Sequence, residues 1–269
     1  MAGIGTALDD IGTFDRLALQ DTPVHRLDAR AKVAVTAAFI VTAASYGRHD
    51  IAAMTPLFMY PAVMIAVGRV PIVIIVRCIL IASPFALLVG IFNPIFDRET
   101  VMHLGPVAVS GGMLSFLSIM LRFMLTISAA LILIACTGYA AICYALGRIG
   151  MPRALIVQFL FLYRYLFVLA SEAARMERAH SLRSGGRRMT AREWASLSGH
   201  LLLRAFDRGR RIHLAMSCRG FDGDMPIGRR GSFSRRDLLF TAGWCAFFAL
   251  ARFGDMPRLV GEAVIRAFA

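Results

Sequence analysis

Long apolar blocks alternate with short polar breaks along most of this chain. Residues 1–31 are polar, and an apolar run then extends from about Lys32 to Tyr46. Gly47 to Asp50 reads as a turn, and a second run covers about Ile51 to Gly68. Gly68 to Pro71 turns the chain again, with Pro71 suited to the first turn of a helix. A third run spans about Ile72 to Phe92, with Pro84 as a kink point. Asn93 to Gly112, mixed and rich in Gly and Pro, reads as a loop on the far side of a membrane. The run from Met113 to Leu146 would make a helix about 51 Å long. That exceeds the ~30 Å hydrocarbon core, so it is expected to tilt, to bend near Gly138 or to emerge into the headgroups.

Gly147 to Arg153 breaks the pattern. The next helix starts apolar, over Ala154 to Ala170, and ends basic. A second long helix is expected over about Thr190 to Arg219, followed by a basic loop through Arg236 and a last apolar run, about Leu238 to Phe253. Fifteen arginines lie from Arg175 to Arg236, well in excess of the acidic residues. The positive-inside rule puts this segment in the cytoplasm, and Arg16, Arg26, Arg30 and Lys32 put the N-terminus there too. Four crossings return the chain to the inside at Gly147. Ala154 to Ala170 is therefore expected to lie at the membrane surface or against other helices rather than to cross. The resulting expectation is an all-α, multispan membrane protein with about five transmembrane helices and a cytoplasmic helical insert. Its parts are an N-terminal segment (1–31), the first four spans (32–146), the insert (147–236), and a last span with its tail (237–269).

Composition agrees with that class. The chain is 58% hydrophobic and only 17% charged, with mean hydropathy +0.64. Its net charge of +13 comes almost wholly from arginine, since Lys32 is the only lysine. Arginine offers a planar fork suited to carboxylates, whereas lysine is a point charge. No aromatic-interleaved basic fold accompanies the charge, so nucleic acid is not expected as a partner. The five cysteines show no CxxC and no Cys/His ligand spacing, and read as unpaired. No signal peptide is expected, because Asp9, Asp10 and Asp15 interrupt the N-terminal region. No G-x-x-x-x-G-K-[ST] occurs, and the single lysine at position 32 leaves no room for a P-loop elsewhere, so any ATP chemistry must come from another chain.

In the insert, Arg204, Arg208, Arg211 and Arg219 fall roughly on one helix face, with Leu197, Leu201 and Ile212 on a neighbouring one. Such a stripe suits either a solvated or lipid-facing basic surface or a partner-docking helix. The two insert helices end alike, in "ERAHSLRSGG" (Glu177 to Gly186) and "HLAMSCRGFDG" (His213 to Gly223). Glycine past a helix end and arginine near it are ordinary C-terminal features. Two other readings stand beside docking. One is an integral-membrane enzyme with a metal held by Asp222 and Asp224, near His213; a helix-following turn explains the same residues. The other is a self-contained ion carrier, which would place ionisable groups in its spans. Arg77 and Arg122 lie in or near spans without an evident acidic partner, and the second to fourth spans contain no acid.

"AMSCRGFDG" (Ala215 to Gly223) resembles the Ala-Met-x-x-Arg-Gly-Phe signature of the transmembrane T components of energy-coupling factor (ECF) transporters. "HRLDARAKV" (His25 to Val33) resembles the lead-in to their first span, where Asp28 can N-cap the helix. "HLLLRAFDRGRRIHLAM" (His200 to Met216) resembles the helix before their second signature. Together these resemble the cobalt branch, the CbiQ type, from about residue 24 to 255. The resemblance implies a non-catalytic T subunit in the cell inner membrane that links a CbiO-type ATPase dimer to a CbiM-type substrate-binding membrane subunit, with a small CbiN-type subunit as a further partner. It implies that this chain holds no cofactor or metal, that ATP is used by the partners, and that the cobalt (or nickel) site belongs to the M component. It also implies two x-Arg-Gly tips that meet carboxylates on the ATPase subunits. The second is Cys218-Arg219-Gly220. The first is Leu182-Arg183-Ser184, where Ser184 stands in place of the family's glycine and Gly185 follows. Arg204, Arg208 and Arg211 would form the supporting basic face.

Overall fold

The computed structural model of the chain describes residues 12–47, 52–92, 100–104, 107–187, 189–223 and 233–253. Asp9, Asp10, His49, Asp224, most of the loop before Arg235 and the tail after Phe253 lie outside the described residues. The chain divides into two compact units. One comprises Leu17–Gly138 and Gly231–Ala269; the other comprises Met1–Arg16 and Tyr139–Arg230.

In the first unit, α1 (Ala29–Ser45) begins at Asp28, whose carboxylate accepts from the Arg30 amide at 2.9 Å, as its sequence position predicts. A 3-10 segment (Ala52–Phe58) leads into α2 (Met59–Gly68). The sequence predicts one continuous second span here. Pro56 lies inside the 3-10 turns, and its missing N–H and ring explain why an i→i−4 ladder does not start until Met59. Pro71 is the N-cap, not the first helical residue, of α3 (Ile72–Gly90), which continues through Pro84.

The expected far-side loop contains an antiparallel hairpin, β1 (Thr100–Leu104) and β2 (Val107–Ser110), with Leu104 opposite Val107. The Gly and Pro content suggested a loop, but a Gly-Pro pair flanked by Thr-Val-Met and Val-Ala-Val is also a strand-turn-strand pattern. The helix α4 (Gly111–Thr137) follows. Of the outcomes expected for the run through Leu146, the break at Gly138 is the one realised: α4 stops at Thr137, Gly138 takes φ 78°, and α5 starts at Tyr139. The last helix of this unit is α8 (Arg235–Phe253).

Small residues let these helices approach closely. The buried stripe of α4 includes Gly112, Ser115, Ser118, Ser128, Ala129, Ile132 and Ala135, recurring at helical spacing. α4 packs on α1, α2 and α3, and α1 also packs on α8. Phe39, Tyr60, Trp244 and Phe248 form one aromatic cluster with ring centroids 4.7–5.8 Å apart. The Tyr60 hydroxyl shares a 2.9 Å hydrogen bond with Thr36, so its polar end is satisfied within the core. The C-terminal end of α1 is tied down by arginines. Nη2 of Arg122 donates to the carbonyls of Tyr46 and Gly47 at 2.6 and 2.7 Å, and Arg252 lies over the Tyr46 ring. Contact with helix carbonyls is thus what occupies Arg122 inside an apolar region.

By contrast, α3 exposes Val73, Leu80, Ile81, Phe85 and Leu88, each well over half uncovered. A patch of this size is expected in lipid, not in water. By length and composition, three helices among the described residues can cross a membrane: α3, α4 and α6 (Arg153–Arg183). This is a multi-pass membrane protein whose spans are joined to a helical insert.

The second unit contains α5 (Tyr139–Ile149), α6 and α7 (Ala191–Cys218). α5 lies on α6 at close range: a Cβ added to Gly147 would sit 2.2 Å from Ile156 Cδ1. Tyr139 stacks on Tyr163 at 4.4 Å, and the Tyr163 hydroxyl donates to Asp15 at 2.6 Å.

Candidate functional site

The two insert helices form an antiparallel pair held mainly by charge. Thr190 and Glu193 make a reciprocal capping box at the start of α7. The Thr190 amide and hydroxyl donate to Glu193 at 2.7 and 2.9 Å, and Arg187 donates to its other oxygen at 2.7 Å. These bonds, those from Thr190 first, hold the Glu193 carboxyl below its ordinary pKa of 4.5. About three turns from the end of α6, Glu172 accepts from Arg175 on its own helix and from Arg204 on α7, both at 2.5 Å. Arg204 is therefore engaged across the helix pair, while Arg208 and Arg211 are exposed. A groove of about 640 Å³ runs between the helices, lined by residues including Met176, His180, Arg183, Glu193, Leu197 and Arg204.

Neither long helix contains a buried residue, although they have 31 and 28 residues. Leu197, Leu201, Ile212 and Met216 are half-covered, but Leu202, Leu203, Phe206 and Leu214 are 58–64% exposed. The arginine periodicity drew attention to one face of α7; this apolar face and the Glu172 and Glu193 links were not read from the sequence. Glu172 and Arg204 are 32 residues apart, and nothing local signals their meeting.

The helix ends carry the predicted tip residues. At the end of α7, Arg219 is the C-cap and Gly220 takes φ 76°. The Phe221 amide closes on the Met216 carbonyl and the Gly220 amide on Ser217, both at 3.1 Å. This is a Schellman closure, which requires a left-handed residue after the cap. α6 ends similarly: Ser184 is the C-cap, Gly185 takes φ 63°, and the Gly186 amide closes on the Ser181 carbonyl at 2.8 Å. The left-handed position absent at Ser184 is supplied one residue later by Gly185. Arg183 consequently sits two residues before its left-handed glycine, and Arg219 only one. One residue is about 100° of helix rotation, so the two guanidinium groups leave their helix ends in different directions. Cys218, Arg219 and Gly220 are exposed, as is Arg183, while Ser184 is half-covered.

A metal reading finds little support at this end of the molecule. Among the described residues no group of three or more His, Cys, Asp or Glu is placed to hold an ion. His213 is exposed and belongs to α7, whereas Asp222 lies in the turn beyond the helix end, and Asp224 lies outside the described residues.

Comparison with known proteins bears on these same residues. Residues 20–227 match the family described as CbiQ, cobalt transport protein. The chain is 30% identical over 163 residues to the cobalt transport protein CbiQ of Salmonella typhimurium, covering 56% of this chain and 72% of that protein. It is 39% identical over 84 residues to the cobalt transport protein CbiQ of Rhodobacter capsulatus, covering 30% and 34%. An uncharacterized protein of Methanocaldococcus jannaschii, MJ1089, is 29% identical over 103 residues, 38% of each chain. The matched parts thus span little more than a third of the last two relatives. The family match itself takes in most of the chain, from the lead-in to α1 through both helix ends. With its apolar spans, its paired insert helices and a match of that extent, the chain belongs to the CbiQ family of cobalt transport proteins, non-catalytic membrane components of the energy-coupling factor type.

Proposed function

We propose that this chain is the transmembrane coupling subunit of an ECF-type importer for cobalt ions in the cell inner membrane. It links ATP hydrolysis by a pair of partner ATPase subunits to a substrate-binding membrane subunit. The observation that carries this reading is the pair of Schellman-closed helix ends, each with an exposed arginine at its tip. An exposed guanidinium on a rigid helix end suits bidentate contact with a carboxylate on another protein. The absence of any buried residue in α6 and α7 supports the same reading, because two helices of this length need a partner surface or lipid to cover their apolar residues. Cobalt, rather than nickel, follows the names of the Salmonella and Rhodobacter relatives.

Charge sets the orientation. The arginine-rich insert faces the cytoplasm, and α1, the 52–68 segment, α3, α4 and α8 cross; α6 is long and apolar enough to span, but a crossing there would carry the arginines that follow it outward, so it lies along the membrane surface with its apolar half inward. Movement of the ATPase subunits then shifts α6 and α7 as levers, and the chain transmits the displacement without taking part in the chemistry. The test is Arg219→Glu. The substituted chain is expected to insert normally yet to lose its ATPase partner on co-purification from the native membrane, together with cobalt uptake. Unchanged assembly and uptake would refute the reading.

A further inference from the structure

A helix that stops inside a protein leaves carbonyls needing partners. α4 stops beside buried residues: Ala135 and Cys136 are 0% and 1% exposed. The Gly138 amide closes on Ile134 at 2.9 Å, which satisfies only that carbonyl. The Cys136 carbonyl is met by a side chain from inside α1. Lys32 is itself 2% exposed, and its Nζ donates to that carbonyl at 2.9 Å.

The segment bearing this side chain is itself anchored. Asp237 is 4% exposed and accepts from the Asp28 amide at 2.9 Å and from the Ser234 amide at 2.8 Å. One carboxylate thereby fixes the starts of both α1 and α8. The Asp28 and Asp237 carboxylates also act on the Lys32 ammonium, so the buried cation has two counter-charges as well as its carbonyl. A cation at a helix C-terminus is favoured by the helix dipole.

Gly138 is the last residue of the membrane unit's first stretch before the insert unit begins at Tyr139. We propose that Lys32, held by Asp28 and Asp237, acts as a side-chain cap on the C-terminus of α4 that fixes the Gly138 break, and that it is a positioning residue for coupling transport to ATP hydrolysis. This gives the Asp28 to Lys32 part of the lead-in a physical role that its sequence does not disclose. The coupling half rests on the proposed function; the capping half does not.

The two halves are tested separately. In the full chain in detergent, hydrogen exchange at the Gly138 amide is followed by mass spectrometry of peptides covering 134–142. Lys32→Met keeps the length and volume of the side chain but removes its donor and charge. Exchange is expected to rise about tenfold, the loss of one helix-end cap of ordinary strength, and Lys32→Arg should recover part of it. Should Lys32→Met fail to yield folded protein, Asp237→Asn, which removes the charge that anchors the start of α1, carries the test with the same expected direction. Wild-type exchange in the folded variant overturns the cap. The second measurement is cobalt uptake per ATP hydrolysed in the reconstituted complex. A positioning role lowers that ratio with the amount of assembled ATPase unchanged; an unchanged ratio overturns the coupling role. If the wild-type chain brings down no ATPase at all, it is the proposed function that fails, while the exchange result still decides the cap.

Discussion

Replacing Gly220 isolates the conformational part of the α7 tip from its contacts. Gly220 holds φ 76°, and a Cβ added there would meet nothing within 4 Å. Alanine therefore introduces no clash in the free chain, only the left-handed backbone penalty of about 1–2 kcal/mol. If the closed tip is the form that docks, this penalty appears as a loss of about 5–30-fold in affinity for the ATPase partner. Asparagine tolerates the left-handed region, so Gly220→Asn should lose only a small part of that. Titration of the detergent-solubilised chain against its ATPase, with binding read by fluorescence anisotropy, gives the three affinities. Gly185→Ala, at φ 63° and equally open, should behave as Gly220→Ala does if both ends dock. The reasoning is refuted if Gly220→Ala binds like wild type. It is also refuted if asparagine is as damaging as alanine, which would mean that the partner closes onto the glycine itself and that space, not φ, is what matters.

Other substitutions probe the scaffold. A Cβ on Gly68 would lie 2.9 Å from Cys136 Sγ, so Gly68→Ala should lower the Tm in detergent by the ~1–3 kcal/mol of an overpacked core, and adding Cys136→Ala should recover part of it; strict additivity of the two would count against close packing of α2 on α4. Glu172→Ala should barely change the stability of the helix pair, because Arg175 and Arg204 are 67% and 61% exposed and solvent screens the link; a marked loss in chemical denaturation would show that the link is more than a surface pair. The Glu193 pKa is lowered by the capping box, so the stabilisation is complete above its ordinary 4.5 and is lost as pH falls through the lower folded value. First-turn amides of α7, corrected for intrinsic exchange, should accordingly lose protection only below about pH 4.5, and Glu193→Gln should abolish that step; a wild-type step at neutral pH would contradict the assignment.

Much of this protein is legible one helix at a time. Runs of apolar residues give α1, α3 and α4, Asp28 gives the start of α1, and Thr190 marks the start of α7. Each signal lies within a few residues of the structure it specifies. The second span was read too simply because hydropathy ignores how Pro56 alters hydrogen bonding. The hairpin at 100–110 was missed because two short strands inside a Gly- and Pro-containing segment carry little period.

The tip residues divide in the same way. The sequence alone placed Arg183 and Arg219 at helix ends, since glycine after a helix is a local signal. It could not give their register: Ser184 occupies a cap and Gly185 the left-handed position, and only the backbone torsions distinguish Arg183, two residues before its glycine, from Arg219, one before. Contacts between distant segments were still less accessible. Lys32 reads as a basic residue at a membrane edge, yet it is buried against the Cys136 carbonyl, 104 residues away. Asp237 reads as an ordinary acid before a span, yet it joins two helix starts across 209 residues. Local periodicity and caps determined which segments are helical and which face the bilayer, because those follow from neighbours in the chain. Which orphan carbonyl each buried charge satisfies was decided only by the tertiary structure, because a charge in a low-dielectric interior takes whatever partner the packing brings to it.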